Sequence, residues 1–175
     1  LSRTSALADA KDLLRAGVDG FVHEVRDRDV DDEYVALVKA HPKAWTVPTI
    51  PVPQTRSTID ALAETLPANQ IATMRAQLQE RQARGNPPDE LFDLHCRNLG
   101  RIHGAGMVIG VGTDGTGDGF GPHEQIAAYT QCGMSTAEAI VAATSTNARL
   151  LKLDRLGTVA AKKEASLVVL DANPL

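Results

Sequence analysis

The sequence predicts an α/β fold with parallel strands, and three observations lead to this prediction. Segments typical of buried strands alternate three times with segments typical of helices along the 175 residues. One apolar run, which begins at Val108, ends in Gly-Thr-Asp114 and is followed by an unusually glycine-rich loop. Ser135 and Glu138 have the spacing of a helix-capping box. Such alternation favours β/α units, in which successive strands run parallel.

Length and composition are those of one globular domain with 43% hydrophobic residues and a net charge of -4. No basic stripe or aromatic platform indicates nucleic acid as a partner, and no apolar run approaches the roughly 18 residues that a membrane span needs. Cys96 and Cys132 lie far apart without a CxxC pair. We therefore expect reduced core thiols in a cytoplasmic protein. Because the chain begins with Leu1 and not Met, secretion stays open.

The first third of the chain contains four predicted elements. A helix is predicted over 5–16, with Ser5 as its cap and a glycine directly after it. A short strand is predicted over 18–23. A second helix begins at Asp31 or Asp32 and is ended by Pro42. A strand follows over 44–49, and Trp45 within it and Phe21 in the strand before are expected in the core.

The rest of the chain contributes six further elements. Helices are predicted over 58–84, 88–103, 122–131 and 135–149, and strands from Val108 to Asp114 and over 165–171. The helix over 58–84 is interrupted near Pro67. Only the tail after Leu156 has the pattern of a separate structural piece.

Two residues that can bind metal stand where predicted strands end. His23 closes the strand over 18–23, and Asp114 follows the strand from Val108. In α/β barrels, the carboxyl ends of the strands carry the catalytic residues. A neutral imidazole is a good zinc ligand, and a carboxylate can bind metal or take a proton from water. Each residue also has an ordinary structural explanation: a hydrogen-bonded histidine, and an aspartate that caps a turn among glycines.

Four further polar residues lie close to these two in sequence. Glu24 and Asp27 follow His23 and could orient its ring, or could be solvated loop charges. His123 and Glu124 begin the helix after the glycine loop, where they could bind substrate. Alternatively, Glu124 simply places a carboxylate at a helix N-terminus. The remaining histidines, expected to be structural, are His41, His95 and His103.

The glycine loop itself suggests two other kinds of site, both less favoured. Gly110-x-Gly112-x-x-Gly115 formally matches a dinucleotide-binding fingerprint, but no helix begins there and an aspartate inside the turn would repel a phosphate. The segment from Asp114 has a limited likeness to a calcium loop. Its twelfth position is Gln125, where such a loop needs a bidentate glutamate.

The order of several motifs resembles the carboxyl-terminal half of the metal-dependent amidohydrolase superfamily, in particular the branch with imidazolonepropionase and prolidase-like enzymes. In chain order, the motifs are Ala-Gly-Val-Asp-Gly-Phe-Val-His23, Trp-Thr-Val-Pro-Thr49, Val-Gly-Thr-Asp114, Thr-Ala-Glu-Ala-Ile140, Ala-Thr-Ser-Thr-Asn-Ala148, Leu-Gly-Thr-Val159 and Ala-Ser-Leu-Val-Val-Leu-Asp171. No single motif is specific, whereas their order and spacing are. One departure is Ala160-Ala161-Lys162-Lys163, where the family usually has Pro-Gly-Lys.

This resemblance implies a partial (β/α)8 TIM-like barrel, of which strands six to eight lie within residues 1–155. Residues 156–175 would form the terminal strand of a small β-sandwich. His23 would bind one metal ion, and Asp114 would bind the other and act as general base to the attacking water. The implied cofactor is a divalent metal, zinc first, with one or two ions that activate water and polarise the carbonyl.

The implied function is hydrolysis of a carbon–nitrogen bond in a small-molecule amide, cyclic amide or dipeptide. The family's metal ligands on strands one, four and five are expected before Leu1, so the chain would be a fragment and inactive by itself. Three strands cannot close a barrel, which predicts a homo-oligomer or association with the missing amino-terminal half. The alternatives are a catalytically inactive assembly chain and a nucleotide-binding α/β protein.

Overall fold

The computed structural model describes residues 1–51, 59–60, 63, 66–85, 88–114 and 121–175. The chain forms two compact units. The first unit comprises Leu1–Ile50 and Leu94–Leu175, and the second comprises Pro51–Asp93. The expected division between residues 155 and 156, into a barrel part and a sandwich part, stays a prediction.

The first unit is built on a four-stranded parallel sheet in the order β1-β2-β3-β4. The strands are β1 (Ser2–Arg3), β2 (Gly20–Val22), β3 (Trp45–Val47) and β4 (Val108–Ile109). The last three confirm predicted strands in shortened form. β1 was not predicted, since two residues are too few to show an alternating pattern. The sheet therefore has four strands where three were expected.

Helices follow the strands, as the alternation predicts. In the first unit they are α1 (Leu7–Arg15), α2 (Asp32–Ala40), α4 (Pro88–Gly104), α5 (Gly121–Gln131), α6 (Thr136–Val141) and α7 (Asn147–Leu150). Of α4, only the part from Leu94 on belongs to this unit. A π-helical segment, Ala142–Thr146, joins α6 to α7. The single helix expected over 135–149 thus contains a π-bulge, a feature common at functional sites.

Three helix starts show how well local sequence predicts capping. The Asp31 side chain accepts a hydrogen bond from the Tyr34 backbone N–H, and Ser135 forms the predicted capping box. The prediction of Ser5 as the cap of α1 was wrong. The first helical N–H, that of Leu7, donates to Asp27 Oδ1 at 3.0 Å, so a residue from the loop after β2 caps α1.

The core contains apolar side chains from strands and helices. Fully buried examples are Leu14, Phe21, Val38, Leu99, Ile102 and Tyr129. Phe21 confirms its prediction, while Trp45 is only half-buried. The indole of Trp45 covers Gly20, where an added Cβ would lie 2.4 Å from its Cζ2. Only glycine therefore fits at the start of β2.

The two cysteines form a disulfide, with a sequence separation of 36 residues. Cys96 belongs to α4 and Cys132 directly follows α5. The expectation of reduced thiols was wrong, because the distance between the cysteines along the chain says nothing about their distance in the fold. The expectation of a cytoplasmic location rested on reduced cysteines and loses that support.

The tail does not form the strand expected over 165–171. Residues 151–175 are all described and none of them is in a strand. Val168 and Val169 are 80% and 94% exposed. Apolar β-branched residues favour a strand only when another strand supplies hydrogen bonds, and no described segment does so here. A place for 156–175 in a β-sandwich stays a prediction.

The second unit contains α3 (Ala68–Ala83) and the first residues of α4. Within it, Arg75 forms an ion pair with Asp60 at 2.8 Å. The structure confirms the predicted helix over 58–84 for residues 68–83, and part of the earlier stretch lies outside the described residues. Across the part of the chain that the structure describes, no helix is long and apolar enough to cross a membrane.

A buried asparagine holds the loop that follows β2. Asn98 of α4 is completely buried, and its Oδ1 accepts from the Val30 N–H at 2.8 Å. Its Nδ2 donates to the carbonyl oxygens of Val25 and Arg28 at 2.8 and 2.9 Å. One amide thus satisfies three backbone groups that have no place in the sheet.

Replacing Asn98 by alanine is expected to lower the free energy of unfolding by about 2–4 kcal/mol, since buried polar groups lose their partner. Urea denaturation followed by circular dichroism measures the effect. Asn173→Ala, at an exposed tail position, is the matched control. A loss for Asn98→Ala within about 0.5 kcal/mol, the range of ordinary surface substitutions, would contradict this account.

Candidate metal and catalytic site

His23 lies directly after β2, with its side chain 3% exposed and its backbone in the left-handed region at φ 73°. Its N–H donates to the Val47 carbonyl at 3.1 Å, and its carbonyl accepts from Thr46 Oγ1 at 2.9 Å. Left-handed backbone is rare for a residue with a side chain and persists only where its surroundings fix it. The two bonds to the neighbouring strand do this.

The side-chain ring of His23 is also held, by a contact with the segment that directly follows β3. Its Nδ1 lies 3.2 Å from Thr49 Oγ1. When Nδ1 carries the hydrogen and donates it to this hydroxyl, Nε2 presents a lone pair. Nε2 is buried and has no hydrogen-bond partner among the described residues. A buried nitrogen in this state is suited to bind a metal ion.

Asp114 comes to the same place from β4. Its backbone is also left-handed, at φ 47°, which aspartate tolerates better than most residues. Its side chain is 53% exposed, and Oδ2 lies 3.5 Å from His23 Nε2. The structure therefore brings the two predicted ligands together, as expected from their positions at strand ends.

A second charged group, not identified from the sequence, reaches this pair. Arg3 ends β1, the strand beside β2, and its guanidinium Nη2 lies 3.5 Å from Asp114 Oδ2. Sequence reasoning missed Arg3 because the strand that carries it has only two residues. The signal that could have identified it is its place one β/α unit before His23.

Burial lowers the pKa of His23 below its usual value of 6.5, and the positive charges of Arg26 and Arg3 lower it further. The negative charge of Asp114 opposes this effect but is smaller than the effect of burial. His23 is therefore neutral at pH 7. A neutral ring is the form that can bind a metal.

The donor atoms present fit part of a metal site. His23 Nε2 and Asp114 Oδ2 are a nitrogen and an oxygen, a set that suits zinc and similar divalent ions. Within the described residues, no group of three or more histidine, cysteine, aspartate or glutamate side chains could hold a metal. The described part of the chain thus supplies two ligands, whereas catalytic zinc usually has three from protein.

A side-chain amide fixes the path from β4 to Asp114. Asn147, the first residue after the π-helical segment, accepts from the Val111 N–H at 3.0 Å and donates to the Val111 carbonyl at 2.8 Å. A Cβ on Gly110 would lie 2.6 Å from Asn147 Oδ1. The glycine that precedes Val111 is therefore required for this contact.

The segment after β3 is held in the same way by α5. Gln125 Oε1 accepts from the Ile50 N–H at 2.9 Å, and Nε2 donates to the Ile50 carbonyl at 2.7 Å. The Tyr129 hydroxyl lies 2.8 and 2.9 Å from the carbonyl oxygens of Pro48 and Gly110, between which it shares its hydrogen. Burial raises the pKa of Tyr129 well above 10.0, so this donor stays protonated. Because Ile50 takes both polar atoms of the Gln125 side chain, this side chain is not free to act as the twelfth residue of a calcium loop, which disfavours that interpretation.

Glu24 was expected either to orient the His23 ring or to be a solvated loop charge, and it has neither role. It is buried and its carboxylate hydrogen-bonds His95 Nδ1, while its Oε2 and His95 Nε2 have no hydrogen-bond partner among the described residues. The ring of His23 is held by Thr49 instead. The sequence could not show the Glu24–His95 pair, whose members are 71 residues apart. The expectation that His95 has a structural role stays a prediction.

The other candidates are placed less closely. Asp27 caps α1 and pairs with Arg28 at 3.0 Å, so it does not orient His23. His123 and Glu124 lie in the first turn of α5, exposed and half-buried respectively, and their role with substrate stays a prediction. Residues 115–120 of the glycine loop, which include Gly115 of the dinucleotide fingerprint, lie outside the described residues.

In the metal-free protein, the imidazole of His23 is expected to titrate below pH 6.5. The unfolded chain then binds more protons than the folded chain, so stability falls as the pH drops from above 6.5 through the folded-state pKa. NMR titration and urea denaturation measure both effects. His23→Gln, which cannot be protonated, should lose less stability over this range. A His23 resonance that titrates at or above 6.5 would contradict the prediction.

Comparison with known proteins places this chain in a family. The model of the Amidohydrolase family matches residues 6–175. No curated protein shows significant sequence similarity to the chain. Among solved structures, an amidohydrolase is 27% identical with a TM-score of 0.63, and the match covers 99% of this chain and 38% of the chain of that amidohydrolase. Ochratoxinase of A. niger is 26% identical with a TM-score of 0.62, and covers 98% and 35%.

A third similar structure is a prolidase in complex with N-methylphosphonate-L-proline. It is 24% identical with a TM-score of 0.64, and covers 98% of this chain and 38% of its own. The chain thus spans well under half the length of these solved structures. The family match covers nearly the whole chain, which therefore belongs to the amidohydrolase family.

Proposed function

We propose that this chain carries part of the active site of a metal-dependent hydrolase of carbon–nitrogen bonds, in amides, cyclic amides or dipeptides. The observation that carries the proposal is the buried Nε2 of His23, which has no hydrogen-bond partner among the described residues and lies 3.5 Å from Asp114 Oδ2. Both side chains stand at the carboxyl ends of parallel strands, where α/β barrels hold their catalytic groups. Membership of the amidohydrolase family supports hydrolysis as the reaction.

His23 is the residue in this chain that would bind the metal most rigidly. Its backbone is fixed to β3 and its ring to Thr49, so Nε2 needs little reorganisation to act as a ligand. A bound divalent metal, zinc first and with one or two ions, supplies a more acidic water and a polarised substrate carbonyl.

Asp114 is the residue in this chain that would move a proton. Its half-exposed carboxylate is open to water, and an ionised carboxylate can accept a proton from the attacking water. The same group can then return that proton to the leaving nitrogen. The Asn147 contact with Val111 supports this role, because it fixes the backbone that leads to Asp114.

The substrate in this proposal is a small amide or peptide, and His123 and Glu124 are its candidate contacts. Both residues stand at the N-terminus of α5, directly after the glycine loop that follows Asp114. His123 is exposed and Glu124 is half-buried. The similarity to an amidohydrolase and to ochratoxinase is consistent with an amide bond as the point of attack.

We also propose that the site is completed by further strands, from the rest of the protein or from a second copy. In the described residues, β1 pairs only with β2 and β4 only with β3, so each has an edge without strand partners. Four strands are too few to close a barrel, and open edges favour pairing with other strands. The exposed apolar residues around Val168 and Val169 favour association as well.

The chain of residues 1–175 alone is expected to bind zinc weakly or not at all, because it offers two ligands where catalytic zinc usually has three. Metal analysis after dialysis against a chelator tests this expectation. Stoichiometric zinc that survives the dialysis would contradict it, and would mean that other residues of this chain complete the site.

In the full-length protein, Asp114→Asn is expected to lower kcat by at least about 10²–10⁴-fold, because an amide cannot accept the proton. His23→Ala should lower both the metal content and the rate. Glu124→Gln should have a milder effect, as expected for a group that only orients substrate.

Steady-state kinetics with metal analysis separates these variants, with Asp154→Asn as a control at an exposed carboxylate. Near-normal turnover of Asp114→Asn would remove the central claim. Absence of both bound metal and hydrolysis in the unmodified protein would instead favour a catalytically inactive assembly chain.

A further inference from the structure

The disulfide joins the two helices whose side chains hold the backbone beyond β2 and β3. Cys96 lies in α4, two residues before Asn98. Cys132 directly follows α5, which carries Gln125 and Tyr129. Among the described residues, α4 and α5 have little other direct contact with each other. The covalent bond therefore fixes the position of one helix relative to the other more than packing between them does.

Both helices act on the surroundings of one side chain, that of His23. The loop that Asn98 holds through three backbone groups begins directly after His23. Gln125 holds Ile50, and the neighbouring Thr49 contacts the His23 ring, with 3.2 Å between Oγ1 and Nδ1. A shift of either helix would thus reach the segments that fix this ring.

The disulfide can be reduced without any other cysteine of this chain taking part. The chain has two cysteines, both half-buried and both in the disulfide. A thiolate of a dithiol attacks one sulfur, the S–S bond breaks, and a mixed disulfide forms. The second thiol of the dithiol then displaces the protein sulfur. The protein gains two electrons and two protons as two thiols, and the dithiol is oxidised to a cyclic disulfide.

We propose that the Cys96–Cys132 disulfide is a redox switch of the candidate site. In the oxidised protein it holds α4 and α5 where their side-chain amides fix the segments after β2 and β3. Reduction by a dithiol lets the helices move, and these segments then open to solvent more often. The competing explanation is a cross-link that stabilises the whole fold equally, with no particular effect near His23. The inference concerns backbone conformation and requires neither bound metal nor hydrolysis.

Hydrogen exchange of the full-length protein, resolved to single residues by fragmentation in the mass spectrometer, measures this opening before and after treatment with dithiothreitol. The reporters are the N–H groups of the buried residues Val30 and Ile50, which donate to Asn98 Oδ1 and Gln125 Oε1. Reduction is expected to speed their exchange about tenfold or more, because a cross-link usually changes a folding equilibrium by more than this factor.

The internal control is an N–H group that depends on the sheet and not on these helices. The Trp45 N–H donates to the Asp19 carbonyl at 2.8 Å, at the amino-terminal ends of β2 and β3. Its exchange is expected to change less than about twofold, since local opening leaves the strand ladder intact.

The double variant Cys96→Ser/Cys132→Ser lacks the disulfide without any reagent and is expected to reproduce the exchange of the reduced protein. Dithiothreitol should not change its exchange further, which controls for other effects of the reagent. Labelling with iodoacetamide shows whether Cys96 and Cys132 are thiols in each sample. Should the double variant fail to fold by circular dichroism, the reduced unmodified protein decides alone.

Unchanged exchange at Val30 and Ile50 in the reduced protein would overturn the inference. An equal increase at Trp45 would do the same, because it indicates a cross-link that acts on the whole fold. Free thiols at Cys96 and Cys132 before reduction, or a disulfide that dithiothreitol leaves intact, would overturn it as well. None of these results bears on the proposed function, which metal analysis and kinetics test separately.

Discussion

The site depends on side-chain amides that hold the backbone where it leaves the sheet. Beyond the last paired residue of a strand, N–H and C=O groups lose their ladder partners but remain close to the core. An amide carries a donor and an acceptor together, so one side chain can satisfy both groups. Asn98, Gln125 and Asn147 do this for the segments after β2, β3 and β4, each from a helix that follows later in the chain.

This support explains how two left-handed residues can face each other. His23 and Asp114 both have positive φ, a conformation that costs energy for residues with side chains. The segments that the side-chain amides hold make other backbone conformations of these two residues more costly still. The result is a buried imidazole with one orientation beside two exposed charges, which suits a site that holds one group rigidly and leaves another open to water.

The sequence predicted those features of the structure that depend on residues close together in the chain. The apolar run that ends before Asp114 predicted a strand end, and Ser135 with Glu138 predicted a helix start, because both signals lie within a few residues. The pair of Glu24 and His95 and the disulfide of Cys96 and Cys132 join residues that are 71 and 36 positions apart. Such contacts depend on the fold. The tail beyond Leu156 shows the opposite error, in which a strand pattern is present but its partner strand is not.

The disulfide gives the chain a covalent topology that affects Asp114. It closes a ring from Cys96 to Cys132, and this ring contains β4, Asp114 and all of α5. A protease that cut the glycine loop between Asp114 and Gly121 would open the ring without releasing either fragment. His23 and Asp114 would both remain on the amino-terminal fragment, and the disulfide would keep the fragment with α5 attached to it until a reducing agent separated the two.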